Sequence, residues 1–319
     1  MFNQKRIFIS GAAGVIGTEM VDILLNQGAI LFVGDLKPCP EKWFNKLEYF
    51  HGDLNDICFE ELNSFKPEYF IHLAATFERS SESYEFWQEN FRHSIQLSNH
   101  LMTIIKDLKS IKSVVYASSY LIYDPHLYNF NRSQEIPYSL KETDPIYPRN
   151  LTGMAKLAHE IELRFLDLFK KDQFSIGIPR IYRGYGRNSR DIISRWVREI
   201  LNDEEIKVYR PEGIFDYIYA KDTALGILKI AEAKVEGIIN LGTGSARKVS
   251  DVVNVLISRF PCAKVKNVES DIPYEASQAD ISELLIKINW KPTYSIENGI
   301  DEIIEFEKSR INKENKNKI

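Results

Sequence analysis

Short runs of apolar residues alternate with longer amphipathic stretches through roughly the first 240 residues of a 319-residue chain. Strands separated by crossover helices carry this pattern, so it predicts an α/β fold with a doubly wound parallel sheet covered on both faces. The first unit reads most directly: Arg6 to Ser10 as a strand, Val15 to Gln27 as a helix closed by Gly28, and Ala29 to Asp35 as a second strand. Further strands are expected at Tyr69 to Leu73, Ser113 to Ser118, Phe174 to Ile178 and Gly237 to Leu241, with long helices near 84–108 and 151–171. From about residue 181 the pattern loosens into charged segments, a strand at Ile214 to Tyr219 and terminal helices. This predicts a smaller C-terminal lobe interleaved with the sheet domain. The sheet domain takes residues 1–180 and about 214–242, and the lobe takes about 181–213 and 243–307. The polar, Lys- and Asn-rich stretch 308–319 reads as a disordered tail.

Composition narrows the partners. Hydrophobic residues make up 44%, charged residues 27%, and the formal charge is −4, which fits neither a disordered chain nor a general nucleic-acid binder. A small-molecule partner is expected. No run of about 18 apolar residues occurs, and Met1 to Ser10 passes directly into a strand without a signal-peptide core, so a cytoplasmic protein with no membrane partner is expected. Cys39, Cys58 and Cys262 are widely spaced and form no CxxC, which fits reduced structural thiols. The six histidines show no ligand spacing, and no metal site is expected.

The loop Gly11-Ala12-Ala13-Gly14-Val15-Ile16-Gly17 lies between the first strand and the first helix. Gly11 permits a tight turn, Gly14 lets a pyrophosphate approach the backbone, and Gly17 allows close helix packing, while the amides from Val15 onward and the helix dipole favour phosphate. Glycines also cap ordinary turns, so context decides. Asp35 closes the next strand, where a carboxylate accepts from the adenosine ribose hydroxyls and repels a 2′-phosphate. That argues for NAD over NADP, with Lys37 close enough to soften the preference.

Beyond this loop the chain resembles the extended short-chain dehydrogenase/reductases, the nucleotide-sugar epimerase and dehydratase group, over nearly its whole length. The resemblance rests on the GxxGxxG loop, His51-Gly52-Asp53-Leu54, His72-Leu73-Ala74-Ala75, Asn90, and Ala117-Ser118-Ser119 ahead of Ile122-Tyr123. Later signs are Tyr217-Ile218-Tyr219 with Asp222, Asn240-Leu241-Gly242 and Asn289-Trp290-Lys291-Pro292. It implies a Rossmann-like domain binding NAD, with Asp53 and Leu54 on the adenine and Leu73, Ala74 and Ala75 beside the pyrophosphate. Asn90, Ala117, Ser118 and Lys156 complete the cofactor set. A homodimer built on the helices near 84–108 and 151–171 is also implied.

The implied chemistry passes a sugar hydroxyl proton to a tyrosinate and a hydride to NAD. Ser119 corresponds to the hydroxyl-binding Ser, and Lys156 to the Lys four residues after the Tyr. Counting back four from Lys156 reaches Thr152. An aliphatic alcohol is a far weaker acid than a phenol, so Thr152 does not simply replace a tyrosinate. Tyr120, beside Ser119, and Tyr147, five residues before Thr152, are candidate substitutes, with packing roles as the plain alternative for both. The 4,6-dehydratases carry an acid pair where this chain has Tyr120-Leu121, which disfavours that reaction.

On the substrate side Arg183 takes the place of a family Asn, Phe215 the place of an Arg, and the late Arg is absent around Pro273-Tyr274-Glu275. Arg183 and Arg187, in a Gly-flanked loop, are therefore expected to contact substrate, with Glu78 also on that side. Arg195 and Arg198 read equally well as a solvated helix face. The leading expectation is an NAD-dependent epimerase or oxidoreductase of a nucleotide-activated sugar. Two alternatives stay open: an NAD-binding protein without turnover in a structural or sensing role, and a dehydrogenase of a non-nucleotide polyol.

Overall fold

A computed structural model describes residues 2–79, 81–170 and 173–316. Seven parallel strands form the central sheet: β1 (Arg6–Ser10), β2 (Ile30–Asp35), β3 (Glu48–His51), β4 (Tyr69–His72), β5 (Ser113–Tyr116), β6 (Ser175–Ile181) and β7 (Gly237–Leu241). Their order is β7-β6-β5-β4-β1-β2-β3, and the two-residue strand Ser118–Ser119 continues the β5 edge against β6. Side chains alternate faces along a strand, and the core divides accordingly. Ile7, Ile9, Leu31, Val33, Ile71, Val115, Ile239 and Leu241 enter one cluster with the helices Val15–Asn26 and Ala220–Glu232. Phe8, Phe32, Phe70, Val114, Tyr116, Ile176 and Ile178 enter another with the helical run that starts at Tyr84 and the helix Leu151–Phe169. Both faces are covered, which is why these strands read as nearly continuous apolar runs.

β1 pairs with β2 on one side and β4 on the other, so the chain reverses its direction of travel across the sheet there. The loops leaving β1 and β4 separate at this switch point and open a crevice at the carboxyl edge, the position where open α/β sheets bind ligands. A separate cluster around Ile193, Trp196, Val252, Leu256, Ile300 and Ile303 builds the C-terminal part.

Several expectations are corrected. The strand expected over Ile214 to Tyr219 is broken into Ile214–Phe215 and Tyr217–Tyr219. Asp216 turns inward at the break, accepting from the amides of Thr243 (2.8 Å), Gly244 (2.9 Å) and Ala279 (3.0 Å). The helix near 84–108 contains a π-helical stretch, Phe91–Gln96, between the α-helices Tyr84–Asn90 and Leu97–Ile105. The stretch from Lys308, expected to be disordered, continues the helix Ile296–Lys316. Glu307, fully buried and paired with Arg198 at 3.1 Å, anchors that helix well past its apolar contacts. Residue 171 and residues 317–319 lie outside the described residues.

One buried ion pair ties the sheet edge to the helix Leu151–Phe169. Arg180 on β6 forks onto Glu160 (2.8 and 3.2 Å), both fully enclosed, and packs 4.7 Å over the Tyr123 ring. Glu160 also accepts from Ser118 Oγ, and Tyr123 OH donates to Asn240 at 2.6 Å. Arg180→Met leaves the Glu160 carboxylate buried without its countercharge, and a loss of about 3–5 kcal/mol is expected in urea unfolding. Adding Glu160→Gln should recover part of it.

Candidate active site

Gly11 sits at φ +75°, and a Cβ there would lie 2.6 Å from the Ala74 amide nitrogen. The loops after β1 and β4 therefore touch backbone to backbone, which only glycine permits. A Cβ on Gly17 would stand 2.7 Å from the Ala12 carbonyl carbon, so the helix is pressed equally close to the loop. Gly14 is the N-cap of that helix, which has no side-chain cap and no acidic residue in its first turn. The Val15 end is thus left to an outside anion. Asp35, half-buried at the end of β2, accepts from the amides of Ala13 and Lys37, each at 2.9 Å, while Lys37 Nζ reaches Ala13 O at 3.2 Å. This cradle fits a dinucleotide phosphate and its ribose.

Farther along the crevice, Leu54 is buried and would lie 2.6 Å from a Cβ on Gly34. Asp53 N-caps the next turn through Asn55 N (3.0 Å) and meets Arg92 at 2.8 Å. Burial opposes its charge, but these hydrogen bonds and Arg92 win and hold the carboxyl below its usual range. At the end of β4, His72 is fully buried between Ser10 Oγ (2.5 Å) and Ser98 Oγ (2.8 Å), and burial keeps its ring neutral well below the ordinary histidine range. Leu73 N donates to Ser10 O and Ala117 N to His72 O, so the ends of β1, β4 and β5 form one continuous edge. Ala74 and Ala75 lead into Thr76, which donates to Asn90 at 2.5 Å, and Asn90 donates to Leu151 O at 2.8 Å. Asn90 thereby fixes the loop after β4 to the start of the helix Leu151–Phe169.

That helix comes equally close to the β5 edge. A Cβ on Gly153 would lie 2.6 Å from Leu121 O. Lys156 consequently reaches Ala117 O at 2.6 Å and lies 4.9 Å over the Tyr116 ring. Burial pushes its ammonium down to about 8, against the opposing pull of Glu160. Ser119 Oγ accepts from Leu121 N at 3.2 Å and remains partly exposed. Thr152 is 7% exposed, and its Oγ1 has no hydrogen-bond partner. The start of the helix Leu151–Phe169, with Thr152 and Lys156, thus packs on the β5 edge that continues into Ser119.

The two tyrosine candidates fare less well. Tyr120 is buried and stacked on Tyr182, with ring centroids 5.1 Å apart, and burial raises its phenol far above the ordinary value, the wrong direction for a tyrosinate. Tyr147 is 63% exposed.

Arg183 lies 4.3 Å over Phe215 and 4.0 Å from Glu275, on the side of Tyr120. Arg187 does not join it. Its guanidinium forks onto Glu19 of the first helix at 2.6–2.9 Å, a pairing across 168 residues that occupies the group expected to meet substrate. Arg195, exposed, pairs with Glu199 along its own helix, whereas Arg198 packs that helix onto the last one through buried Glu307. Two residues went unnoticed in the sequence. Arg149 contacts Glu275 at 2.6 Å and Glu78 at 3.1 Å, and Asn150 donates to Glu78 at 2.7 Å. The signal available was an N-cap Asn followed by the Thr152 turn, with an Arg just before it. Among the described residues no group of three His, Cys, Asp or Glu is placed to hold a metal ion, and no helix is long and apolar enough to cross a membrane.

Comparison with known proteins agrees with this geometry. Residues 7–242 match the model of the NAD dependent epimerase/dehydratase family. The chain is similar to dTDP-L-rhamnose 4-epimerase of Burkholderia thailandensis, 23% identical with 95% of each chain covered. It is also similar to dTDP-4-dehydro-6-deoxyglucose reductase of Escherichia coli, 24% identical over 94% of this chain and 97% of the relative. Its fold superposes on UDP-glucuronic acid 4-epimerase from Bacillus cereus, solved with UDP-glucuronic acid and NAD, at a TM-score of 0.82 and 21% identity, covering 96% and 99% of the two chains.

The depressed Lys156 value sets a pH dependence with a definite sign. Below about pH 8 the lysine is charged in both states and its burial destabilises the fold. Between about 8 and the unfolded value of 10.5 the unfolded chain binds the extra proton, so stability rises with pH. Relative to Lys156→Met, the wild type should gain on the order of 3 kcal/mol between pH 7 and pH 10.5, read as converging unfolding midpoints.

Proposed function

Because the chain belongs to the NAD dependent epimerase/dehydratase family, we propose that it moves a hydride between NAD and a carbon of a nucleotide-activated sugar, as an epimerase or oxidoreductase of polysaccharide biosynthesis. The observation that carries this reading is the close approach of the helix Leu151–Phe169 to the β5 edge, Gly153 against Leu121 O and Lys156 on Ala117 O, beside a glycine cradle open to an anion. Bound NAD supplies the hydride acceptor and donor. Gly11, Gly14, Gly17 and the amides of Val15 and Ile16 would hold its pyrophosphate, Asp35 its adenosine ribose, and Asp53 and Leu54 its adenine. Leu73, Ala74 and Ala75 line the crevice, with Asn90, Ala117 and Ser118 behind them. Lys156, which bonds the Ala117 carbonyl, would hold the second ribose. Ser119 orients the reacting hydroxyl, Thr152 donates to the sugar, and Arg183 meets the diphosphate through a planar guanidinium.

The lobe of about 181–213 and 243–307 closes over the sugar nucleotide. Three free cysteines support a reducing, cytoplasmic setting. Exposed Trp87, Phe91, Phe165, Leu168 and Phe169 support a homodimer through the two long helical runs. Thr152 in place of a phenol favours a second reading, a protein that binds NAD and turns nothing over.

Incubation with dTDP-L-rhamnose and UDP-glucuronic acid, followed by NADH absorbance and by deuterium exchange at sugar carbons, separates these readings. Hydride transfer with either sugar is expected. Tight sugar and NAD binding with neither signal would instead support the second reading. Sedimentation should show a dimer that Leu168→Glu with Phe165→Glu converts to a monomer without loss of fold.

A further inference from the structure

We propose that Glu78 is the general base that takes the place of the missing phenol, an inference that rests on the hydride-transfer reading above. Asn150, the N-cap of the helix that carries Thr152 and Lys156, uses both ends of its side chain. Its Oδ1 accepts from Gly153 N at 2.8 Å, and its Nδ2 donates to Glu78 Oε1 at 2.7 Å. Arg149 donates to the same oxygen at 3.1 Å. Glu78 is thereby bracketed to the turn that holds Thr152, and its Oε2 makes no hydrogen bond to the described residues. A carboxylate pinned by one oxygen with the other free is arranged to accept a proton.

The neighbouring candidates are engaged elsewhere. Glu275 has both oxygens occupied, Oε2 by Arg149 at 2.6 Å and Oε1 by Ser277 Oγ at 3.0 Å. Glu82 caps Leu151 N at 3.1 Å from the exposed side. Tyr120 lies stacked on Tyr182. Thr152 Oγ1, buried and unpartnered, remains as a donor for the sugar oxygen.

In the oxidising step the O–H bond of the sugar hydroxyl breaks and its proton passes to Glu78 Oε2. The carbon gives up its hydride to bound NAD, and the C–O bond becomes a carbonyl. One carboxylate and NAD⁺ become one carboxylic acid and NADH, and the return step reverses both transfers. The charged and titratable groups facing Glu78 are Arg149 and Tyr120, with Glu275 across the guanidinium and Glu82 at the helix end.

Glu78→Gln keeps the acceptor for Asn150 and Arg149 and removes the basicity. With the NAD-loaded full chain and dTDP-L-rhamnose or UDP-glucuronic acid as probes, it should lower kcat by roughly 10²–10⁴-fold. KM, NAD affinity and melting temperature should stay at wild-type values, and the acidic limb of the pH–rate profile should vanish. Glu78→Asp should keep that limb. A difference infrared spectrum on sugar oxidation should show a protonated carboxyl in the wild type and none in Glu78→Gln. An active wild type with Glu78→Gln within threefold of it would overturn the assignment and leave the enzyme reading intact. Loss of NAD affinity or melting temperature in both variants would make Glu78 a structural residue and also overturn it. A wild type that binds NAD and transfers no hydride would overturn the enzyme reading and this inference together.

Discussion

Backbone meets backbone, with no room for a Cβ, at three points on which the whole crevice depends: Gly11 against Ala74, Gly17 against Ala12, and Gly153 against Leu121. The first joins the loops after β1 and β4 at the switch point. The second sets the depth of the helix N-terminus behind the loop. The third brings a helix from the other face of the sheet to the β5 edge, and with it Thr152 and Lys156. Interiors are close-packed and yield little, so one added methyl at any of these points has to move an entire element. The positions of Thr152 and Lys156 follow from these contacts more than from their own hydrogen bonds.

Charge is arranged around that frame in a buried network centred on the Arg180–Glu160 pair. Lys156 and Glu160 are one helical turn apart, Glu160 is neutralised by Arg180, and Arg180 leans on Tyr123, which is itself bound to Asn240. The network runs from the helix Leu151–Phe169 through β6 to β7. It holds Ser118 and leaves the adjacent Ser119 facing outward. Isolated buried charges are costly, and an ion pair so enclosed offsets its desolvation only with full hydrogen bonding, which Ser118, donating to Glu160, and the Glu142 carbonyl, accepting from Arg180, help to supply.

The parts of this arrangement legible in the sequence are those encoded locally. Alternation of apolar residues located β1 and β7 to the residue, because each strand is buried on both faces and bounded by turn residues. The glycine loop and Asp35 were readable because their spacing reflects a single βαβ unit. Pairings across long sequence separations were not. Arg187 looked free for substrate until the fold placed Glu19 beside it, and Arg149 acquires meaning only when Glu78 and Glu275 arrive from 71 and 126 residues away. Asp216 was hidden for the same reason, since a carboxylate inside an apolar run reads as strand until its three partners, Thr243, Gly244 and Ala279, are known. The final helix was misread from composition alone, as Glu307 looks like one more surface charge until Arg198 meets it.

Under the proposed hydride-transfer reading, Thr152 stands where a phenol would serve, and this changes what the rest of the site has to supply. A tyrosinate brings its own negative charge, and a lysine beside it keeps that charge stable. With an alcohol at that position, Lys156 has no such anion to hold and instead hydrogen-bonds a neutral carbonyl, Ala117 O, where burial drives its pKa toward neutrality. Negative charge enters from the opposite side of the same turn, on Glu78 and Glu275, and Arg149 sits between them. The guanidinium cannot give up its proton, so it fixes the two carboxylates in place without competing for the substrate's proton. Arg149 thus keeps Glu78, on the loop after β4, and Glu275 together beside the turn that carries Thr152.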